Sequence, residues 1–325
     1  MDLMAYDMGR MVLRGLLTRT GLPPAEVDRV VMGCVIQDIK TSNVAREAAL
    51  AAGIPNSVPA FTVTMACISS NQAFTSGVDL IRAGLADRVI AGGTETLSDP
   101  QIRVGRPVRK RLFEARHAQG QDYTELLEGL DPSDLVSEAP SIAEFSTGEV
   151  MGESADRLAA MFGVSRREQD EYALRSHRKA AQARDAGLLD PELYPAAVPP
   201  DFAPITTDNV IREDASLEKL RTLSPAFIKP FGTVTAGNSS GLTDGASATL
   251  LMAEDVAEAE GFAPKAALRE YTYVAQDPGT ELLLGPAYAI PQVLDASGLS
   301  FDDIDVIELH EAFAGQVLAV LEAIQ

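Results

Sequence analysis

Thr62-Val63-Thr64-Met65-Ala66-Cys67-Ile68-Ser69-Ser70-Asn71-Gln72 is the stretch on which the fold turns. An apolar run over 59–66 ends in a single sulfur, and a segment with helical spacing of apolar residues follows at once. A strand that runs straight into a helix is the basic step of an α/β layer. The start of a helix also offers the positive end of its dipole and unpaired backbone N–H groups, which stabilise negative charge. A sulfur delivered there is disposed to act as a nucleophile. The bland reading of the same pattern is a small cysteine packed in the core.

The same alternation extends on both sides. Segments 29–36 and 88–93 are short, uninterrupted apolar runs and read as buried strands. Segments 4–19 and 43–52 read as helices, the second with Val44, Ala48, Ala49 and Ala52 facing inward. The helix after Cys67 carries Phe74, Val78, Ile81 and Leu85 as a core stripe. Such strands joined by helices predict a largely parallel sheet covered on both faces. From about residue 98 the texture changes: 101–129 is basic and then mixed in charge, and 191–204 is proline-rich and irregular. Between them Met151, Ala155, Leu158 and Phe162 mark one inward helical stripe. Ser165-Arg166-Arg167-Glu168 is a capping box that opens another, charged helix. After residue 245 the α/β texture returns, with strands expected at 246–252, 266–274 and 304–309 and helices at 287–296 and 312–324. Leu309-His310-Glu311 repeats the device at Cys67, a strand end placing reactive side chains beside a new helix.

Bulk properties narrow the field. A chain of 325 residues that is 46% hydrophobic can bury a large core in two or more lobes. Its net charge of −20 argues against nucleic acid as a partner. The same charge disfavours any polyanionic ligand, which would need a few local cations and backbone donors. Two cysteines, Cys34 and Cys67, make no disulfide framework and fit a reducing compartment. Cys34, inside the apolar run 30–36, reads as an inert strand residue. No stretch approaches the ~20 uninterrupted apolar residues of a transmembrane helix. No secretory pattern opens the chain, although Met1 need not be the natural start. No His-Glu-x-x-His, P-loop lysine or G-x-G-x-x-G is present, so neither a zinc site nor a nucleotide fingerprint is expected.

Three segments, in order, resemble the thiolase family, enzymes that cleave or form 3-oxoacyl-CoA thioesters. The segment around Cys67 resembles the acyl-accepting cysteine of that family. Gly232-Thr233-Val234-Thr235-Ala236-Gly237-Asn238-Ser239-Ser240-Gly241-Leu242-Thr243-Asp244-Gly245-Ala246 is similar to the turn that lies along the pantetheine arm of CoA. Glu308-Leu309-His310-Glu311-Ala312-Phe313-Ala314-Gly315-Gln316 is similar to an active-site loop in which most thiolases carry Asn where this chain has His310. His at that place, and Val150 where most thiolases have His, resemble one branch: the β subunit of the trifunctional fatty-acid oxidation enzyme and its bacterial relatives, whose substrates are long-chain.

The resemblance implies an α/β thiolase fold of duplicated βαβαβ-type halves with an inserted helical loop domain. On that basis 1–97, continued by 243–262, is the half carrying the nucleophile. Residues 98–242 are the loop domain over the CoA site, and 263–325 open a second half that is incomplete. The family also implies a Gly-His-Pro segment bearing a base and a later second cysteine. Neither occurs here; the other histidines, His117 and His177, lie in charged helical surroundings and read as solvated. The chain is therefore expected to be a C-terminally truncated fragment, inactive as it stands. The apolar side of Val317, Leu318, Leu321 and Ile324 is expected to be left uncovered.

The implied reaction is thiolysis. Cys67 attacks the 3-oxo carbonyl, an acetyl-CoA enolate leaves, and CoA takes the acyl group from sulfur in a ping-pong cycle. His310 would donate to the enolate oxygen, against the plain reading of a histidine capping the next helix. By resemblance Ser240 and Gly241 line the pantetheine arm, Phe227 packs against it, Met151 faces the acyl or pantetheine channel, and Arg212 stands near the nucleotide end of CoA. Without the family these are a tight turn, core packing and a surface charge. CoA enters as co-substrate, with no bound cofactor and no metal. A homodimer or larger assembly, a companion subunit with hydratase and 3-hydroxyacyl-CoA dehydrogenase activities, peripheral membrane or subunit contact through 103–116, and a bacterial cytoplasmic location are the implied surroundings. A non-catalytic CoA-binding scaffold stays open beside the enzyme. A decarboxylating ketosynthase ranks lower on the wording of the motifs.

Overall fold

The computed structural model describes residues 3–116, 128–140 and 142–325. They gather into two compact units, 3–140 with 243–253, and 142–242 with 254–325. The first unit opens with helix α1 (Ala5–Thr20), strand β1 (Arg29–Gly33), helix α2 (Val44–Ala51), strand β2 (Ala60–Val63), helix α3 (Ser69–Arg82), strand β3 (Arg88–Glu95) and helix α4 (Arg106–Ala115). The chain then builds α5 (Met151–Met161), α6 (Arg166–Asp185), a small hairpin β4 (Ala196–Val198) and β5 (Ala203–Ile205), and α7 (Leu217–Arg221) in the second unit. It returns to the first unit as β6 (Gly245–Met252) and ends in the second with α8 (Glu254–Glu260), α9 (Gly285–Ser297) and α10 (Ala314–Ala323).

The sheet of the first unit runs β2-β1-β3-β6. The first three strands are parallel, with Val31 beside Phe61 on one side and Ala91 on the other. The fourth is antiparallel, with Gly92 opposite Ala248. Val30, Val31 and Met32 are fully buried, because α2 and α3 pack on β1 while Met32 also reaches Gly9 of α1, which lies over β3 and β6. Burying each such side chain contributes about 1.5–3 kcal/mol. The α3 stripe is rotated from the expected one. Ala73 and Gly77 are buried, Phe74, Val78 and Ile81 are half-buried, and Leu85 is 62% exposed beyond the helix end. Small residues win that face because α3 lies close on the sheet, and a side chain at Gly77 would run into Val89 and Leu251.

In the second unit α5, α9 and α10 share a core of Leu158, Leu284, Ala319 and Val320. The expected bare face of α10 is therefore corrected: Val317 and Val320 are buried, and Leu318, Leu321 and Ile324 are half-buried. The strands expected at 266–274 and 304–309 do not form. A strand needs another strand beside it to form a ladder, and neither segment pairs with one among the described residues. Val306 stands 74% exposed. The proline-rich 191–204 contains the β4–β5 hairpin, which composition concealed. The compact units also cut across the boundaries at 97/98 and 262/263. Residues after 98 stay with the sheet, tied by Asp244 to Leu97 and Ser98 and by Gln101 to Asp38.

Candidate active site

Cys67 is exposed, in the tight turn between β2 and α3. Gly33 is what lets α3 begin there: a Cβ on Gly33 would lie 2.5 Å from the backbone of Ser69. The turn puts Ala66 at φ +44°, a left-handed conformation costly for a residue with a Cβ. Ser69 locks it in place. Its Oγ donates to Ala66 O at 2.7 Å and accepts from Met65 N at 2.8 Å. The start of α3 has no side-chain cap; Ser69 N donates to Ala66 O at 3.1 Å, so the helix start offers the sulfur the N–H groups that follow Ser69. Cys34, by contrast, is 2% exposed. Burial, with the nearby Glu95 carboxylate, pushes its thiol up to about 12. Glu95 itself accepts from Val35 N and Ile36 N and holds the loop after β1.

The other six candidates belong to the second unit. Here the two glycine- and histidine-bearing motifs are stitched together. Ser240 N donates to Ala312 O at 2.8 Å, Ala314 N donates to Asn238 O at 3.0 Å, and Ser239 bridges Phe313. Residues 237–241 are thus laid against the segment that follows His310. Ser240 and Gly241 remain exposed, and a side chain at Gly241 would meet open space. Met151, Phe227, Phe313, Val234 and Ala155 form one apolar cluster. The rings of Phe227 and Phe313 meet edge to face at 6.1 Å, and Phe227 lies so close over Gly152 that a Cβ there would collide with the ring. Met151 and Phe227 stay half-buried, each with one side open.

Two buried carboxylates hold the arrangement from beneath. Asp156 on α5 accepts from Thr233 N at 2.6 Å and Val234 N at 2.8 Å. Asp170 on α6 pairs with Arg166 at 2.9 Å and accepts from the Asn238 side chain at 3.0 Å, whose own oxygen takes Thr235 N at 2.7 Å. Gln169 donates to Thr233 Oγ1 at 2.8 Å. In the sequence Gln169 and Asp170 are hidden among the many charges of α6, and Asp156 beside the apolar stripe of α5. For α6 the usable signal is spacing: Gln169, Asp170, Ala173 and Leu174 form one stripe, all buried.

His310 is exposed at the end of the unpaired 304–309 segment. Glu311 beside it accepts from Tyr172 Oη at 2.6 Å and from Ser176 Oγ. Arg212 is exposed, and its backbone N–H donates to His177 Nδ1 at 3.3 Å. His177 is therefore half-buried rather than a solvated surface residue; burial, then the Arg212 charge, lowers its pKa. His117 lies outside the described residues. A groove of about 390 Å³ beside α6 is lined by Glu171, Leu174, Arg175, Arg178, Lys179, Gln182 and Leu217. Among the described residues no group of three or more His, Cys, Asp or Glu side chains is placed to hold a metal. No helix among them is long and apolar enough to cross a membrane.

Family models for the thiolase N-terminal and C-terminal domains match residues 1–255 and 262–325. The chain belongs to the thiolase family. It is 55% identical to the mitochondrial trifunctional enzyme subunit beta of Macaca fascicularis, over 99% of this chain and 67% of that protein. It is 52% identical to a probable 3-ketoacyl-CoA thiolase of Caenorhabditis elegans, over 99% of this chain and 72% of that one. Among solved structures, the acetyl-CoA acetyltransferase of Bacillus anthracis superposes with a TM-score of 0.86 at 34% identity, covering 99% of this chain and 78% of that chain. The α/β architecture is thus the thiolase fold. In this thiolase Cys67 occupies the strand-to-helix turn, and the HEAF segment, 310–313, is paired with the glycine turn.

Proposed function

We propose that this thiolase is a 3-oxoacyl-CoA thiolase of fatty-acid β-oxidation. The observation that carries the reading is the exposed Cys67 in a strained, Ser69-locked turn at an uncapped helix start. Cys67 Sγ attacks the 3-oxo carbonyl carbon of the substrate. The bond between C2 and C3 breaks, the acyl group stays on sulfur, and acetyl-CoA departs as its enolate and takes up a proton. The thiol of a second CoA, losing its proton, attacks the thioester, and the longer acyl group leaves on CoA while sulfur is freed. His310 donates a hydrogen bond to the enolate oxygen as charge develops there. Ser240 and Gly241 carry the pantetheine arm on exposed backbone. The open side of Met151 and Phe227 receives apolar chain, and Arg212 takes the nucleotide end.

The absence of any local crowding at Gly241 supports close approach of a ligand to that backbone. Residues 98–242 are proposed to cover the CoA site. The likeness to a trifunctional enzyme subunit beta supports a companion subunit with hydratase and dehydrogenase activities. Helix α4, with Phe113 65% exposed among arginines, is proposed as its contact. The test of the chemistry is direct. Incubation with acetoacetyl-CoA and mapping by mass spectrometry should find one acetyl group on the Cys67 peptide, which free CoA removes. CoA binding with no adduct on Cys67 would overturn the reading in favour of a non-catalytic scaffold.

A further inference from the structure

The hydroxyls that hold Glu311 have no part in the chemistry assigned above. Tyr172 and Ser176 stand one turn apart on α6 and reach the same carboxylate. Tyr172 Oη donates to one oxygen at 2.6 Å and Ser176 Oγ donates to the other. With both oxygens engaged from one helix, the carboxylate is fixed in place and in rotation. The helix is itself a firm support. Its start is closed by the Ser165–Glu168 capping box, and its buried Asp170 and Gln169 grip residues 233–238. The Arg175 guanidinium lies 5.0 Å from the centre of the Tyr172 ring. Glu311 is the residue after His310, and the residues before His310 form no strand ladder. On the far side Ala312 is held by Ser240.

We propose that Tyr172 and Ser176 are positioning residues which, through Glu311, set the direction of the His310 imidazole. The proposal rests on the reading of His310 as the donor to the enolate oxygen. Without the two hydroxyls, Glu311 would swing into solvent, and the loop over 308–311 would depend on the Ala312 contact for its placement. Each charge-assisted hydrogen bond lost should raise local opening by about tenfold.

The chain has three histidines, so selective ¹³C labelling of their rings gives one Cε1–Hε1 signal each, assigned with single His→Gln variants. In Tyr172→Phe/Ser176→Ala the His310 signal should shift and broaden, and amides over 308–311 should exchange deuterium about a hundredfold faster than in the parent, tenfold for each bond lost. Ser176→Thr, which keeps the hydroxyl, should show the parent signal where Ser176→Ala does not. If the double variant does not fold, Tyr172→Phe and Glu311→Gln alone, each weakening the clamp, should move the same signal. An unmoved His310 signal and unchanged exchange in a folded variant overturn the proposal. So does a Ser176→Thr variant as disturbed as Ser176→Ala. A His310→Ala variant that forms and releases the acetyl-enzyme at the parent rate would instead remove the donor reading, while the ring signals still report on the clamp.

Discussion

Ser69 is as informative as the cysteine it serves. Its hydroxyl makes two of the hydrogen bonds that hold the left-handed Ala66, beside the backbone bond from Ser69 N to Ala66 O, so Ser69→Ala should cost about 1–2 kcal/mol in denaturant unfolding. The same variant should slow acetylation of Cys67 more than it weakens CoA binding, since it frees the turn and touches no ligand. The two thiols should differ sharply. Brief iodoacetamide treatment at pH 8 should label Cys67 and spare Cys34, whose burial and raised pKa of about 12 leave roughly one molecule in 10⁴ ionised. Peptide mapping decides this, and preferential alkylation of Cys34 would remove Cys67 from its role.

The elements show where sequence reading succeeds and where it stops. Strands β1, β2 and β3 were legible because each is a short apolar run between turn residues, and Cys67 because the strand-to-helix switch is local. The boundaries of β1 and β2 were read too long, since apolar residues continue past the last ladder bond at Gly33 and Val63. Segments 266–274 and 304–309 carry strand-like composition without forming strands; pairing is a property of the neighbour, which periodicity cannot show. The stripe on α3 was misplaced for a related reason. Hydropathy favours Phe74 and Leu85, whereas close packing on the sheet selects Ala73 and Gly77. The site in the second unit was legible in its motifs but not in its supports, because Asp156 and Asp170 look like surface charges until their partners are known. Asp170→Ala should cost about 3 kcal/mol, as it takes the carboxylate from the largely buried Arg166, leaving it only the carbonyls of Leu220 and Leu223, and removes one of the hydrogen bonds that hold Asn238. Thermal denaturation together with proteolysis over 233–241 would show it. A loss below 0.5 kcal/mol, which is typical of a surface position, would mean the network does not hold the turn.

For the molecule as a whole, two partly or fully buried groups tie stability to pH from opposite sides. His177 has a lowered pKa in the folded state, so the unfolded chain binds the proton more readily. The stability it contributes is present above the ordinary value of 6.5 and is lost as pH falls below it. Cys34 has a raised pKa, so its contribution is complete below the ordinary 9.0 and is lost as pH climbs from there toward about 12. Melting temperature followed against pH should fall at both edges, with His177→Gln flattening the acid side and Cys34→Ala the alkaline side. An unchanged acid limb in His177→Gln would assign that edge to the many carboxylates of this strongly acidic chain.

The chain's route through its two units sets a timetable for synthesis. β3 acquires its antiparallel neighbour β6 only when residues 245–252 have left the ribosome, more than a hundred residues after β3 itself. Until then β3 presents an unpaired edge of backbone donors and acceptors, the kind that recruits other strands. Most of the second unit emerges within that interval, and it too waits, for residues 312–314 to close on 238–240. Neither unit can be finished by a nascent chain in one uninterrupted stretch, and a gene cut at residue 141 would release a sheet lacking its last strand. Translation speed over 142–244 therefore sets how long an aggregation-prone edge stays open, and a chaperone that shields β3 during that window would raise the yield of folded protein.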